Sequence, residues 1–220
     1  MLHQKGYTYY RWIMNKGLFI TFEGGEGSGK STVIQQVKQH LLDKQLDVFV
    51  TREPGGSEIG EEIRQTLLKH ENTNMDPLTE SYLFAAARRQ HLMELIVPKL
   101  QADVVVLCDR YVDSSIVYQG YARGIGIEKV AAINKVMIED YVPQLTFFID
   151  VAPDIALARI QMGRDQNRLD VETAEFHQKV YEGYMMLAAQ TPRIKRIEGD
   201  QPVEQVVADI MRYINEYLHG

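Results

Sequence analysis

Short apolar runs bounded by glycine and polar clusters alternate along this chain with stretches whose apolar residues recur every three or four positions. The first pattern marks buried strands and the second marks amphipathic helices. Strands are predicted over residues 18–22, 47–51, 103–108, 145–149 and 194–197. Helices are predicted from Val33, Ile34, Val37 and Leu41, and from Ile59, Ile63, Leu67 and Leu68. Asp76-Pro77, a cap followed by a first helical proline, opens a longer helix that should end near residues 98–100. Ile127, Val130, Ile133 and Met137 mark a further helix, and Pro153 starts another. Phe176, Val180, Tyr184 and Leu187 mark the next, and Pro202 opens the last, toward Leu218. Gly120, Gly124 and Gly126 punctuate what reads as a loop containing Ser115, Tyr118 and Gln119. This alternation of strands and helices predicts an α/β fold with a mostly parallel five-stranded sheet covered on both faces.

Residues 1–13 fit neither pattern. They carry Tyr7, Tyr9, Tyr10 and Trp12 and precede a second methionine, Met14. The expectation is an N-terminal extension outside the fold, with an aromatic arm packed on the domain as the alternative, and a single domain over residues 14–220. A chain of 220 residues with 45% apolar content can bury a sizeable core. No apolar run reaches the length of a membrane span, and no secretory signal is seen, so the expected location is the cytoplasm. The single cysteine, Cys108, ends an apolar run and reads as core filler. A formal charge of −6 argues against a nucleic-acid partner. An anionic ligand then needs a local cluster of basic residues.

Such a cluster is implied where strands end. Gly24-Gly25-Glu26-Gly27-Ser28-Gly29-Lys30-Ser31-Thr32 satisfies G-x-x-x-x-G-K-[ST], lies after the first strand and opens the first helix. In this context backbone N–H groups converge on phosphate, Lys30 reaches the terminal phosphates, and Ser31 places its hydroxyl on magnesium. The second strand runs into Arg52-Glu53-Pro54-Gly55-Gly56 and the third into Asp109-Arg110-Tyr111. Ligands of parallel sheets bind at the carboxyl ends of strands. Three such ends point to one active site, over which the basic run 163–168 could close.

These segments, with Phe22-Glu23-Gly24, Phe84-x-x-x-Arg88 and Tyr118-Gln119-Gly120, resemble bacterial thymidylate kinase from about Met14 to the C-terminus. The resemblance implies a P-loop NTPase fold with three α/β/α layers and a mobile lid over about residues 162–171. It implies transfer of the γ-phosphoryl of ATP to dTMP with Mg2+, within a homodimer. Lys30 and the loop amides of residues 24–32 would then hold the donor phosphates, with Ser31 and Asp109 serving the metal. Arg52, Arg110 and Arg64 would hold the acceptor phosphate beside Glu53, and Glu26 would accept from the sugar 3′-hydroxyl. Phe84 would stack on the base, Arg88 would donate to its O4, Gln119 would complete the base edge near Ser115, and Tyr118 would crowd the 2′ position. Gln201 would approach the donor adenine. The phosphate loop has no cation besides Lys30, so Arg168, or else Arg164, is expected to supply transition-state charge from the lid. A kinase for another nucleoside monophosphate or a deoxynucleoside remains open. So does a nucleotide-gated switch, although Asn134-Lys135-Val136-Met137 lacks the final acid of a guanine-reading Asn-Lys-x-Asp segment.

Overall fold

The computed structural model describes residues 17–161, 168, 169 and 171–219. The predicted extension at residues 1–13, most of the predicted lid and Arg164 lie outside the described residues. Among the described residues the strands are β1 (Phe19–Glu23), β2 (Val48–Arg52), β3 (Val105–Asp109), β4 (Leu145–Asp150) and β5 (Ile194–Glu198). They form one all-parallel sheet in the order β2-β3-β1-β4-β5. The expected α/β architecture is therefore present, and no described helix is long and apolar enough to cross a membrane.

Alternation along the strands distributes the core to both faces, because successive side chains point oppositely. Ile20 and Phe22 of β1 pack with Val33, Ile34, Val37 and Leu41 of α1 (Lys30–Asp43) and with Val206, Val207, Ile210 and Ile214 of α9 (Val203–His219). Phe19 faces the opposite side, against Leu92, Ile96, Leu100 and Tyr111. Cys108 is free and fully buried in that second cluster, as core filler should be.

Between β2 and β3 the chain forms α2 (Glu58–Leu68) and α3 (Pro77–His91). Asp76 caps α3, its carboxylate accepting from Thr79 N–H at 2.9 Å. The helix does not stop before Pro98. It widens into a π-helical stretch, Leu92–Ile96, and continues as α4 (Val97–Gln101), with Pro98 in the first turn of the new segment, where a missing N–H costs little.

The segment predicted as a loop around Ser115, Tyr118 and Gln119 is instead helical, as α5 (Val112–Ser115) and a π-helical stretch, Ile116–Ala122. Glycine and serine favour a loop locally, but burial of Ile116, Val117 and Tyr118 overrides them. Gly120 is there for proximity: a Cβ at this position would lie 3.3 Å from Ile127 Cα of α6 (Ile127–Ile138). The remaining helices, α7 (Pro153–Gln161) and α8 (Ala174–Gln190), follow β4.

Candidate active site

The parallel register brings the three predicted strand ends to one level. Phe22 of β1 and Arg52 of β2 both pair with Asp109 of β3. The chain leaving β1 turns through Gly24, where φ is +145° and a Cβ would meet Ile149 O at 2.7 Å. It enters α1 from Gly29, with φ of +84°. Both positions therefore require glycine.

Lys30, the first residue of α1, is buried. Its Nζ donates to Gly25 O at 2.9 Å, Ser28 Oγ at 3.2 Å and Gly24 O at 3.3 Å. Burial, reinforced by the nearby Arg110 charge and opposed by Asp109, pushes its pKa down to about 8. Ser31 Oγ donates to Asp109 Oδ2 at 3.2 Å, while Asp109 Oδ1 is buried with no hydrogen-bond partner. A hydroxyl and an orphaned carboxylate oxygen are hard donors that fit Mg2+, which takes few protein ligands and completes its shell with water and phosphate.

Beside this pair Arg110 adopts left-handed backbone, φ 68°. Its Nη2 donates to Glu26 at 2.8 Å, its Nη1 reaches Ser114 Oγ and Tyr184 OH at 3.2 Å each, and its guanidinium lies over the Tyr118 ring. Arg52 donates to Glu61 at 2.8 and 3.0 Å, and Arg64 donates to Pro54 O at 2.8 Å. These three arginines face a cavity of about 600 Å³ that runs from the phosphate loop to Phe84, Tyr118 and Gln119.

Other expected residues do not line that cavity. Arg88 shares a helix face with Phe84 but is 2% exposed, held by Glu53 at 2.7 Å, by Tyr111 O at 3.1 Å and by Asn134 Oδ1. Glu53 also meets His91 Nδ1 at 3.1 Å, so its carboxylate works behind the wall. Ser115 is buried with an unpartnered Oγ. Gln201 donates to Glu198 O and Asp209, each at 3.0 Å. Arg168 is buried too, donating to Leu67 O at 2.8 Å and Glu80 at 2.6 Å.

Comparison with known proteins decides what this assembly belongs to. The sequence model of the family described as thymidylate kinase matches residues 22–210. A thymidylate kinase of Oceanobacillus iheyensis is 52% identical over 206 residues, 92% of each chain. One of Clostridium novyi is 47% identical over 204 residues, 91% of this chain and all of that protein. The crystal structure of thymidylate kinase from Ehrlichia chaffeensis superposes with a TM-score of 0.74 at 32% identity, covering 90% of this chain and 98% of that one. The chain belongs to the thymidylate kinase family.

Within that family frame, several residues that the sequence reading gave no role organise the site. Glu23 ends β1 and accepts from Tyr111 N–H and Tyr184 OH, both at 2.8 Å, and from Ser114 Oγ at 2.5 Å. Burial, with Asp113 adding to it, pushes its carboxyl up to about 7. Ser114 and Tyr184 thus link Glu23 to Arg110. Glu61 holds Arg52, and Glu80 holds Arg168. Arg159 of α7 lines the cavity and meets Asp200 at 3.1 Å. A buried strand-end acid and an arginine inside a helical repeat were visible in sequence, but nothing local told them from capping and surface charges.

Proposed function

We propose that the protein transfers the γ-phosphoryl group of ATP to the 5′-phosphate of dTMP. A phosphate oxygen of dTMP forms the new P–O bond, the bond from the γ-phosphorus to the β–γ bridging oxygen breaks, and dTDP and ADP leave. The observation that carries this reading is the continuous cavity joining the phosphate loop to three arginines and an aromatic wall. Two anions that must meet in line need such a row of cations, and positioning with charge neutralisation accounts for most of phosphoryl-transfer catalysis.

Lys30 holds the donor phosphates with the loop amides. Ser31 and Asp109 would hold Mg2+, which when bound would neutralise charge on the donor phosphates. Arg110, Arg52 and Arg64 hold the acceptor phosphate, and Glu26 accepts from the sugar. Phe84 supplies a face for the base and Gln119 a polar edge. Arg159, on the cavity wall, is the donor-side arginine. Arg168, engaged by Glu80, seats its segment, while Arg88 and Glu53 stiffen the wall behind the base. The reading extends to a homodimer, as the family resemblance implies, and to the cytoplasm, as the sequence leads one to expect.

ADP release should be negligible with ATP and Mg2+ alone and strongly stimulated by dTMP. dUMP should follow within the range that one methyl group allows, about 1 to 3 kcal/mol. Stimulation by dGMP or thymidine but not dTMP would overturn the assignment, and ATP hydrolysis indifferent to every acceptor would favour a switch. Sedimentation velocity giving a monomer would remove the dimer.

A further inference from the structure

Glu80 has no place in phosphate binding, yet it is 1% exposed and gathers three donors from two distant parts of the chain. Its Oε1 accepts from Gln119 Nε2 at 2.9 Å and from Arg123 Nε at 3.4 Å, and its Oε2 accepts from Arg168 Nη2 at 2.6 Å. Arg123 in turn reaches Glu172 at 2.5 Å and lies 4.5 Å over the Phe176 ring. A carboxylate flanked by two guanidinium groups presents only acceptors, so the amide of Gln119 can meet it only with its NH2 side. The opposite side of that amide ends in Oε1, and Gln119 lines the cavity. The other oxygen of Glu80 fixes Arg168, whose neighbour Leu169 packs with Phe84 and lines the same cavity.

We infer that Glu80 is a positioning residue for base specificity: it locks the Gln119 amide with its carbonyl toward the acceptor base and seats Leu169 beside Phe84. An oriented acceptor matches the N3–H of thymine or uracil. Cytosine presents a lone pair at N3, so the same carbonyl repels it. A free glutamine would turn over and accommodate either base, which is why the discrimination depends on the carboxylate behind it rather than on Gln119 alone.

This inference rests on the dTMP reading, and the test separates the two. kcat/KM for dTMP and for dCMP is measured in the wild type, Glu80→Gln, Gln119→Met and the double variant, with melting temperature alongside. In Glu80→Gln the new amide can donate, so Gln119 can reverse, and the dTMP-to-dCMP preference should narrow by about tenfold or more. Gln119→Met leaves both arginines on Glu80 and should narrow the preference comparably. Adding Glu80→Gln to it should change the preference less than about twofold, because residues acting through one another are not additive. A purely structural Glu80 would lower both kcat/KM values equally and leave the preference intact, and that result overturns the inference. Should Glu80→Gln fail to fold, an unchanged preference in Gln119→Met overturns it alone. A wild type that ignores dTMP removes the functional reading and this inference with it.

Discussion

Lys30 offers a sharp physical test of the donor site, because the charge it brings to phosphate is held at a disadvantage in the free protein. The amine is buried, its three acceptors are two loop carbonyls and a hydroxyl, and its pKa is lowered from 10.5 to about 8. A bound nucleotide brings several negative charges against Nζ and should restore the ordinary value. The difference corresponds to roughly 3 kcal/mol, so binding to the protonated enzyme is favoured about 300-fold over binding to the neutral one. The direction follows from linkage. Between about pH 8 and 10.5 the unfolded chain and the complex both hold the proton more tightly than the free protein does. In that window Lys30 favours folding more as pH rises, while nucleotide affinity falls by nearly tenfold per pH unit. Isothermal titration of Mg-ADP in buffers of different ionisation enthalpy should find about half a proton taken up per nucleotide near pH 8 and almost none near pH 6. Lys30→Met should bind weakly at every pH and lose this uptake. A dissociation constant that stays flat between about pH 7 and 9.5 with no proton uptake would refute the reasoning, since a lysine already charged and free to reach phosphate would behave so.

The buried Arg88–Glu53 pair, 2% and 3% exposed on the side chains, predicts that Arg88→Met loses about 3 to 5 kcal/mol in urea unfolding and that adding Glu53→Gln restores more than half, because the first change strands a buried carboxylate; additive losses would argue against coupling. Arg52 and Glu61 are half exposed, so Glu61→Gln should cost less than about 1 kcal/mol of stability yet raise KM for dTMP several-fold with kcat nearly unchanged, and a fall confined to kcat would take Arg52 away from acceptor binding. If Glu26 accepts from the sugar, Glu26→Ala should erase the preference for dTMP over its 3′-deoxy analogue, about tenfold in the wild type for one charge-assisted hydrogen bond; a preference surviving the substitution would assign the 3′-hydroxyl to another group.

The sheet, its strand ends and the phosphate loop were legible in the sequence because each rests on local signals: period, glycine and the order of elements. Legibility fails where tertiary packing decides. Ser115 to Gly120 carries loop-forming residues, but a π-helical stretch there lets Val117 and Tyr118 be buried against α8. Spacing placed Arg88 on the face of Phe84 without giving depth, and depth is set by Glu53, thirty-five positions earlier and on another element. Arg168 reads as a free cation in a basic run, yet Glu80 claims it across eighty-eight positions. Partners so distant in sequence leave no pattern that one chain can display.

Four arginine–carboxylate pairs share one chemical form, a functional-looking arginine already met by a carboxylate: Arg110 by Glu26, Arg52 by Glu61, Arg88 by Glu53 and Arg168 by Glu80. The form separates working cations from scaffolding ones. Where both partners are sealed, as with Arg88 and Arg168, exchange would strand a buried carboxylate at a cost of several kcal/mol, so the pair holds shape. Where the arginine lines the cavity, an arriving phosphate offers Arg52 or Arg110 a partner of at least equal charge; at the half-exposed Arg52–Glu61 pair giving up the old contact costs about 1 kcal/mol or less, and at Arg110, whose pair with Glu26 is more enclosed, the phosphate replaces the lost carboxylate. At Arg110 the exchange has a second product. The Glu26 carboxylate it releases belongs to the phosphate loop itself, where a sugar hydroxyl can take the place of the guanidinium. Phosphate recognition and sugar recognition would then be one event rather than two, and a dTMP analogue lacking its phosphate should lose the contribution of its 3′-hydroxyl as well.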